Sequence, residues 1–166
     1  MAGITEYSHT QRGILQPVLL VSAAVVLALA PVVRGETPLP AVLVSLVAFF
    51  ILLSFAFARL TVRDEGTRLA VRFGPLPLFR KTIPYAAMTG VERERSTFSA
   101  GWGIHWTRKG WLWNIGGFDC VRIDMGATSL FVGTDDPDRL VAFLRSRICQ
   151  EDAGRAGAPG TARPAR

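Results

Sequence analysis

Two long runs of the chain carry no charge at all, Gly13 to Val33 and Thr37 to Ala58. Each is about 20 residues long, and a helix rising 1.5 Å per residue covers roughly 30 Å over that length, the thickness of bilayer hydrocarbon. Between them lies Arg34-Gly-Glu-Thr-Pro-Leu-Pro40, short enough for a tight helical hairpin. Pro17, Pro38 and Pro40 suit first helical turns, where a missing N–H costs nothing. The pattern predicts a membrane helix over 13–33, an external loop over 34–40 and a second membrane helix over 41–58. Ala24 with Ala28, and Ala41 with Ser45, place small residues four apart, a spacing that lets helices approach closely in lipid. The rival reading is a cleaved signal peptide, since Ala28-Leu-Ala30 has the small-x-small form of a cleavage site. Against it, the apolar run exceeds the usual ~7–15 residues, Arg12 is the lone base ahead of it, and Pro31 would follow the cut.

After Ala58 the pattern changes to alternation, the signature of half-buried strands. Leu60 and Val62 alternate with Thr61 and Arg63; Leu69, Val71 and Phe73 alternate with Arg68, Ala70 and Arg72. Asp64-Glu-Gly-Thr67 makes a turn between them, and Gly74-Pro-Leu-Pro77 breaks the second. Further short strands are expected over Leu78–Ile83, Met88–Arg95, Val121–Met125 and Ser129–Val132. Spacing of this kind predicts a small antiparallel sheet or barrel. The last element is a helix, capped by Asp135 or Asp136, with Pro137 in its first turn and Leu140, Val141, Leu144 and Ile148 on one face. Residues 1–12 read as an N-terminal tail, 59–150 as the folded domain, and 151–166, rich in Ala, Gly, Pro and Arg, as a disordered tail.

Charge sets the orientation of the two apolar helices. Arg59, Arg63, Arg68 and Arg72 follow the second run closely, whereas the loop between the runs carries Arg34 alone, so the positive-inside rule puts the C-terminal domain and both termini in the cytoplasm. The net charge of +6 is spread over mixed-sign segments such as Glu92-Arg-Glu-Arg95, which reads as a solvated face and not a nucleic-acid patch. Lys81 and Lys109 are the two lysines among 19 basic residues; with abundant Ala, Gly and Pro this points to a GC-rich, bacterial coding bias. Cys120 and Cys149 lack metal-ligand spacing and read as free thiols.

All four tryptophans fall in Gly101-Trp-Gly-Ile-His-Trp-Thr-Arg-Lys-Gly-Trp-Leu-Trp-Asn-Ile-Gly-Gly117. The stretch fits a hairpin turning at Thr107–Gly110, with Trp106 opposite Trp111, Ile104 opposite Trp113 and Trp102 opposite Ile115. A period of two puts all six on one face. Ile104 and Trp113 are expected in the core. Trp102 and Trp106, with Arg108 and Lys109 at the turn, are the candidate contacts for a partner or for lipid, because indoles favour the interface and cations favour phosphates.

The segments Phe73-Gly-Pro75, Ile83-Pro-Tyr85, Gly101-Trp-Gly-Ile104, Gly110-Trp-Leu-Trp-Asn-Ile115 and Val132-Gly-Thr-Asp-Asp-Pro137 together resemble the bacterial pleckstrin-homology-like domain family. The resemblance covers roughly 59–148 and implies an α+β fold: a seven-stranded, partly open antiparallel β-barrel capped by a C-terminal helix, here behind a transmembrane helical hairpin. Such domains often follow one or two membrane spans in small proteins of unknown function, and the family pattern supplies no catalytic residues. Phosphoinositide recognition is not implied, since the loop Arg63-Asp-Glu-Gly-Thr-Arg68 carries two carboxylates that repel phosphate.

The chain lacks GxxxxGK[ST], HExxH, GxSxG and paired CxxC motifs. His105 reads as a strand residue, Asp135-Asp136 as a helix cap, and Asp119, Arg122 and Asp124 as a surface ion-pair set. No nucleophile, base and donor set can be assembled. The expectation is a non-enzymatic, multi-pass inner-membrane protein without cofactor or metal, whose cytoplasmic domain binds or scaffolds. Its expected partners are the lipid bilayer and an unidentified protein, with no nucleic acid. The alternatives are a structural subunit of a larger membrane complex and, more distantly, a secreted or membrane-attached domain behind a cleaved signal peptide.

Overall fold

A computed structural model of the chain describes residues 6–32, 38–76, 78–96, 102–108 and 110–157. A first strand, β1 (Ser8–Arg12), leads into helix α1 (Leu15–Leu29), which ends in a 3-10 turn over Ala30–Val32. Helix α2 (Leu39–Ala56) follows, with Pro40 in its first turn. Then come β2 (Arg59–Asp64), β3 (Arg68–Gly74), β4 (Arg80–Pro84), β5 (Gly90–Arg95), β6 (Gly103–Thr107), β7 (Gly110–Asn114), β8 (Asp119–Met125), β9 (Thr128–Gly133) and helix α3 (Pro137–Gly157).

The two helices are long and apolar enough to cross a membrane. The 18-residue windows Leu15–Val32 and Leu39–Ala56 have mean hydropathies of 2.2 and 2.6, and only 11% of each is buried. A soluble core helix of that hydropathy would be mostly covered by protein; here Val21, Leu27, Val44 and Phe49 stand exposed. The helices pack side by side. Their less exposed positions form narrow stripes, Leu19, Ala23 and Val26 on α1, and Leu43, Val47, Phe50 and Ser54 on α2. The expected small pairs, Ala24 with Ala28 and Ala41 with Ser45, are instead exposed. The hydroxyls of Ser22, Ser45 and Ser54 donate to backbone carbonyls one turn back in their own helices, which leaves none of the three reaching for water.

The fold is α+β, but the strands do not form one closed barrel. Among the described residues, nine strands make two sheets, one ordered β1-β2-β3-β4 and the other β5-β8-β9-β7-β6. We call these sheet A and sheet B. The expectation of a wholly antiparallel arrangement is corrected at one place, since β7 runs parallel to β9, pairing Trp111 with Leu130 and Trp113 with Val132. That approach is close. A Cβ on Gly110, whose φ is +142°, would lie 1.9 Å from the Ser129 carbonyl oxygen, so a side chain there would push the two strands apart.

The inner faces of both sheets and one face of α3 share a core that includes Leu60, Val62, Leu69, Val71, Phe73, Val121, Ile123, Leu130 and Val132. Leu140, Phe143 and Leu144 enter it from α3. The buried face of α3 therefore matches the predicted spacing, with Val141 at its margin and Ile148 partly buried. The helix does not stop near Gln150. It continues to Gly157, so the first part of the expected disordered tail is helical, while 158–166 lie outside the described residues.

Strand β1 is the main departure from the sequence reading, which leaves residues 1–12 as a tail. It pairs antiparallel with β2, from Ser8 opposite Arg63 to Arg12 opposite Arg59. Tyr7 is fully buried and stacks on Phe143 of α3 at 5.3 Å, and burial pushes its hydroxyl pKa up to about 12. Gln11 ties the edge of sheet A to sheet B: its Nε2 donates to the Gly133 carbonyl at 2.7 Å, and its Oε1 accepts from the Asp135 N–H at 2.9 Å. The segments before α1 and after α2 are thus adjacent strands of one sheet, and both helices leave the domain from the same place.

Candidate lipid-facing site

The tryptophan hairpin forms in the expected register, Trp106 opposite Trp111 and Ile104 opposite Trp113. Its face divides along its length. Trp113 is 8% exposed and lies against Phe73 at 5.4 Å, and Ile104 packs on the same core. Trp106 and Trp111 are 64% and 44% exposed and meet edge to face at 5.1 Å. Arg108 is exposed at the turn, and Lys109 lies outside the described residues.

Trp102 does not join them. It is half-buried and its carbonyl is bound by the His105 ring. It borders a different cavity, of about 400 Å³, with Gln11, Arg12, Phe118 and Asp119. Of the four predicted site residues, the structure keeps Trp106 and Arg108 at one end of the hairpin and places Trp102 elsewhere.

Beside the exposed indoles is a larger cleft of about 720 Å³. Leu53 and Phe57 at the end of α2 form one side, Ile104, Trp111 and Trp113 another, and Leu78 to Lys81 the third. The cleft thus opens between β4, the free edge of sheet A, and the hairpin that ends sheet B. Exposed large apolar side chains gather around it. Outside the two long helices, Ile14 at the foot of α1 and Val32 in the 3-10 turn at its end, those among the described residues are Leu76, Leu78, Trp106, Trp111 and Phe118. Of these, Leu78 and Trp111 line the cleft, Trp106 rests on Trp111, and Leu76 is two residues from Leu78.

Lys81 breaks an apolar row in this wall. It is the cross-strand partner of Val71, as Ile83 is of Leu69, and partners share a face of the sheet. Val71, Leu69 and Ile83 are all in the core. Lys81 therefore holds an inner-face register position at the open end of β4, where it is exposed and borders the cleft, and it has no ion pair among the described residues.

The outward face of sheet A is strongly basic. By the same alternation it carries Arg12, Arg59, Arg63, Arg68, Arg72 and Arg80. Glu65 is the local counter-charge, accepting from Arg68 at 2.9 Å, from Arg80 at 3.2 Å and from Arg72. Desolvation raises the Glu65 pKa, but the Arg68 hydrogen bond and the charges of Arg80, Arg72 and Arg68 outweigh it and hold the carboxyl below its ordinary value. Glu6 approaches Arg63 at 4.0 Å. Arg12 and Arg59 are direct cross-strand partners, an arrangement that repels, and neither has an ion pair among the described residues. They sit where α1 begins and α2 ends.

Of the expected surface set on sheet B, Arg122 and Asp124 pair as predicted, whereas Asp119 pairs with Arg93 at 3.2 Å. Arg122 donates to Glu92 at 2.7 Å, to Asp124 at 3.2 Å and to Glu94 at 3.3 Å. Asp135 is held by His9, and Asp136 N–H by the Thr134 hydroxyl. Cys120 is buried, which raises its pKa to about 11, with Glu94 adding to the effect; Cys149 is an exposed free thiol. No protein-family model matches the chain, and no curated protein was found to be similar to it.

Proposed function

We propose that the chain is a two-span integral membrane protein whose pleckstrin-homology-like domain lies against the cytoplasmic face of a bacterial inner membrane and acts there as a non-enzymatic binding module. The observation that carries this reading is the grouping of exposed apolar side chains. Those outside the helices are not scattered, as is ordinary on a soluble surface. Most of them ring the cleft at the end of α2, where the protein would meet the headgroup layer. Trp106 and Trp111 are of the type that favours that depth. Arg12 and Arg59, at the feet of both helices, are placed for lipid phosphates, which would relieve their mutual repulsion.

Retention of both helices is supported by β1. Cleavage after Ala30 would remove Tyr7 from the core and Gln11 from its bridge to Gly133, so the segment ahead of α1 belongs to the fold. The density of Arg immediately after α2 supports the cytoplasmic orientation.

Two measurements test the reading. The full chain should stay with the membrane pellet through alkaline carbonate extraction; release into the supernatant would remove the two-span reading. Its Trp fluorescence should be quenched by phosphatidylcholine brominated near the top of the acyl chains, with Trp106→Phe reducing the quenching and Trp102→Phe leaving most of it. Absence of quenching in the unaltered protein would separate the hairpin from the bilayer.

A further inference from the structure

We infer that the cleft between β4 and the tryptophan hairpin is a binding site for one acidic phospholipid of the adjacent leaflet, selected by Lys81. The inference rests on the two-span reading and names the ligand class of its apolar collar. Three features converge on it. The cleft, about 720 Å³, has room for a large part of a lipid. Its walls near α2 are Leu53, Phe57 and Trp111, surfaces that suit an acyl chain. Its single lysine holds an inner-face register position that the alternation of β4 would fill with an apolar residue.

The fold gives no reason for that lysine. Arg80 beside it is already engaged by Glu65, but Lys81 meets no carboxylate among the described residues. No acidic residue lines the cleft, so the local field favours an anion. A cation beside an apolar cavity that opens at the foot of a membrane helix matches an amphiphile with a negative head: the phosphate at Lys81, an acyl chain along Leu53 and Phe57. A soluble anion would satisfy the lysine and leave the aromatic wall uncovered.

The test uses the full chain carrying Trp102→Phe, so that fluorescence reports the tryptophans at the cleft, reconstituted in phosphatidylcholine nanodiscs with a minor fraction of phosphatidylglycerol. Either lipid carries the bromines. At equal mole fraction, brominated phosphatidylglycerol should quench more strongly, corresponding to an enrichment of about fivefold for one lysine near the surface. Lys81→Gln should abolish the difference, and Lys81→Arg should retain it. Either substitution is tolerable at an exposed strand position, and quenching by brominated phosphatidylcholine that is no weaker in Lys81→Gln than in the parent verifies that the hairpin is still in place. Equal quenching by the two lipids in the parent, or a difference that survives Lys81→Gln, overturns the lipid-selective site while leaving the membrane reading intact. Loss of quenching with both lipids in the parent overturns the membrane reading itself.

Discussion

The outward faces of the two sheets carry opposite versions of one arrangement. On sheet A a single carboxylate, Glu65, is surrounded by Arg68, Arg72 and Arg80; on sheet B a single guanidinium, Arg122, is surrounded by Glu92, Glu94 and Asp124. Each hub holds together neighbours that would otherwise repel. The difference lies in what surrounds them. Sheet A has further arginines at 12, 59 and 63, and Arg12 and Arg59 are without an ion pair among the described residues. The unbalanced positive charge thus falls at the roots of the two apolar helices, while the acidic hub sits on the other sheet. A mixed-sign sequence has been sorted by sheet pairing into a basic face and an acidic one.

The largest expected effect comes from cutting sheet A away from the helix that covers the core. Asp64 lies on the inner side of β2 and accepts from Tyr85 Oη at 2.8 Å, from the Gly66 N–H at 2.8 Å and from Arg147 of α3. Asp64→Ala removes the carboxylate that Arg147 and the Tyr85 hydroxyl share and should cost about 2–3 kcal/mol, read as a lower denaturation midpoint in detergent. Among the described residues Arg122 itself makes no contact with α3, so Arg122→Gln should lower the midpoint less.

Acid should separate the sheets next. Burial raises the Asp64 pKa, but its bonds from Tyr85, Gly66 and Arg147 prevail and lower it; Glu65 is lowered as well. A carboxylate whose folded pKa is depressed adds stability that is complete above its unfolded pKa. That stability disappears as pH falls through the folded value. The denaturation midpoint should therefore fall between about pH 5 and the folded pKa values below it, and Asp64→Asn should flatten that fall. An Asp64→Asn profile as steep as the parent's would remove Asp64 as its source.

A smaller effect concerns the surroundings of the chain. Arg12→Gln with Arg59→Gln should reduce the enrichment of spin-labelled phosphatidylglycerol around the protein, whereas Glu92→Gln with Glu94→Gln should leave it unchanged. Equal changes from both pairs would mean that net charge, and not its placement on sheet A, sets the lipid environment. The smallest effect belongs to Trp106→Ala. Loss of an edge-to-face pair costs about 0.5–1.5 kcal/mol, and at this exposure the stability change should fall at the lower end.

Much of the fold was legible because its apolar positions alternate cleanly. The hairpin register followed from the period of two, and the face of α3 from the spacing of Leu140, Val141 and Leu144. Strand β1 was not legible, because its inward positions are His9 and Gln11, whose partners Asp135 and Gly133 lie more than 120 residues away. Polar residues that are turned inward by distant hydrogen bonds look like a tail when read locally. Tyr7, in step with them, was the one apolar sign. The parallel pairing of β7 with β9 was hidden for a related reason: what permits it is Gly110, and a glycine in a turn has a simpler local explanation. The site was half legible. Indoles and cations were visible in one segment, but the division between Trp102 and Trp106 depends on which cavity each borders. Lys81 could have been noticed, since it stands in phase with Ile83.

The pairing of β1 with β2 has a consequence for how the protein is made. Sheet A contains one strand translated before the two helices and three translated after them. On the two-span reading, β1 must wait unpaired on the cytoplasmic side until both helices have been threaded and β2 has left the ribosome. A chain with one helix inserted would leave β1 and β2 on opposite sides of the bilayer, with Tyr7 unable to reach Phe143. On that reading, completion of the folded domain records that membrane insertion has succeeded, and a misinserted chain would present an open sheet edge for proteolysis.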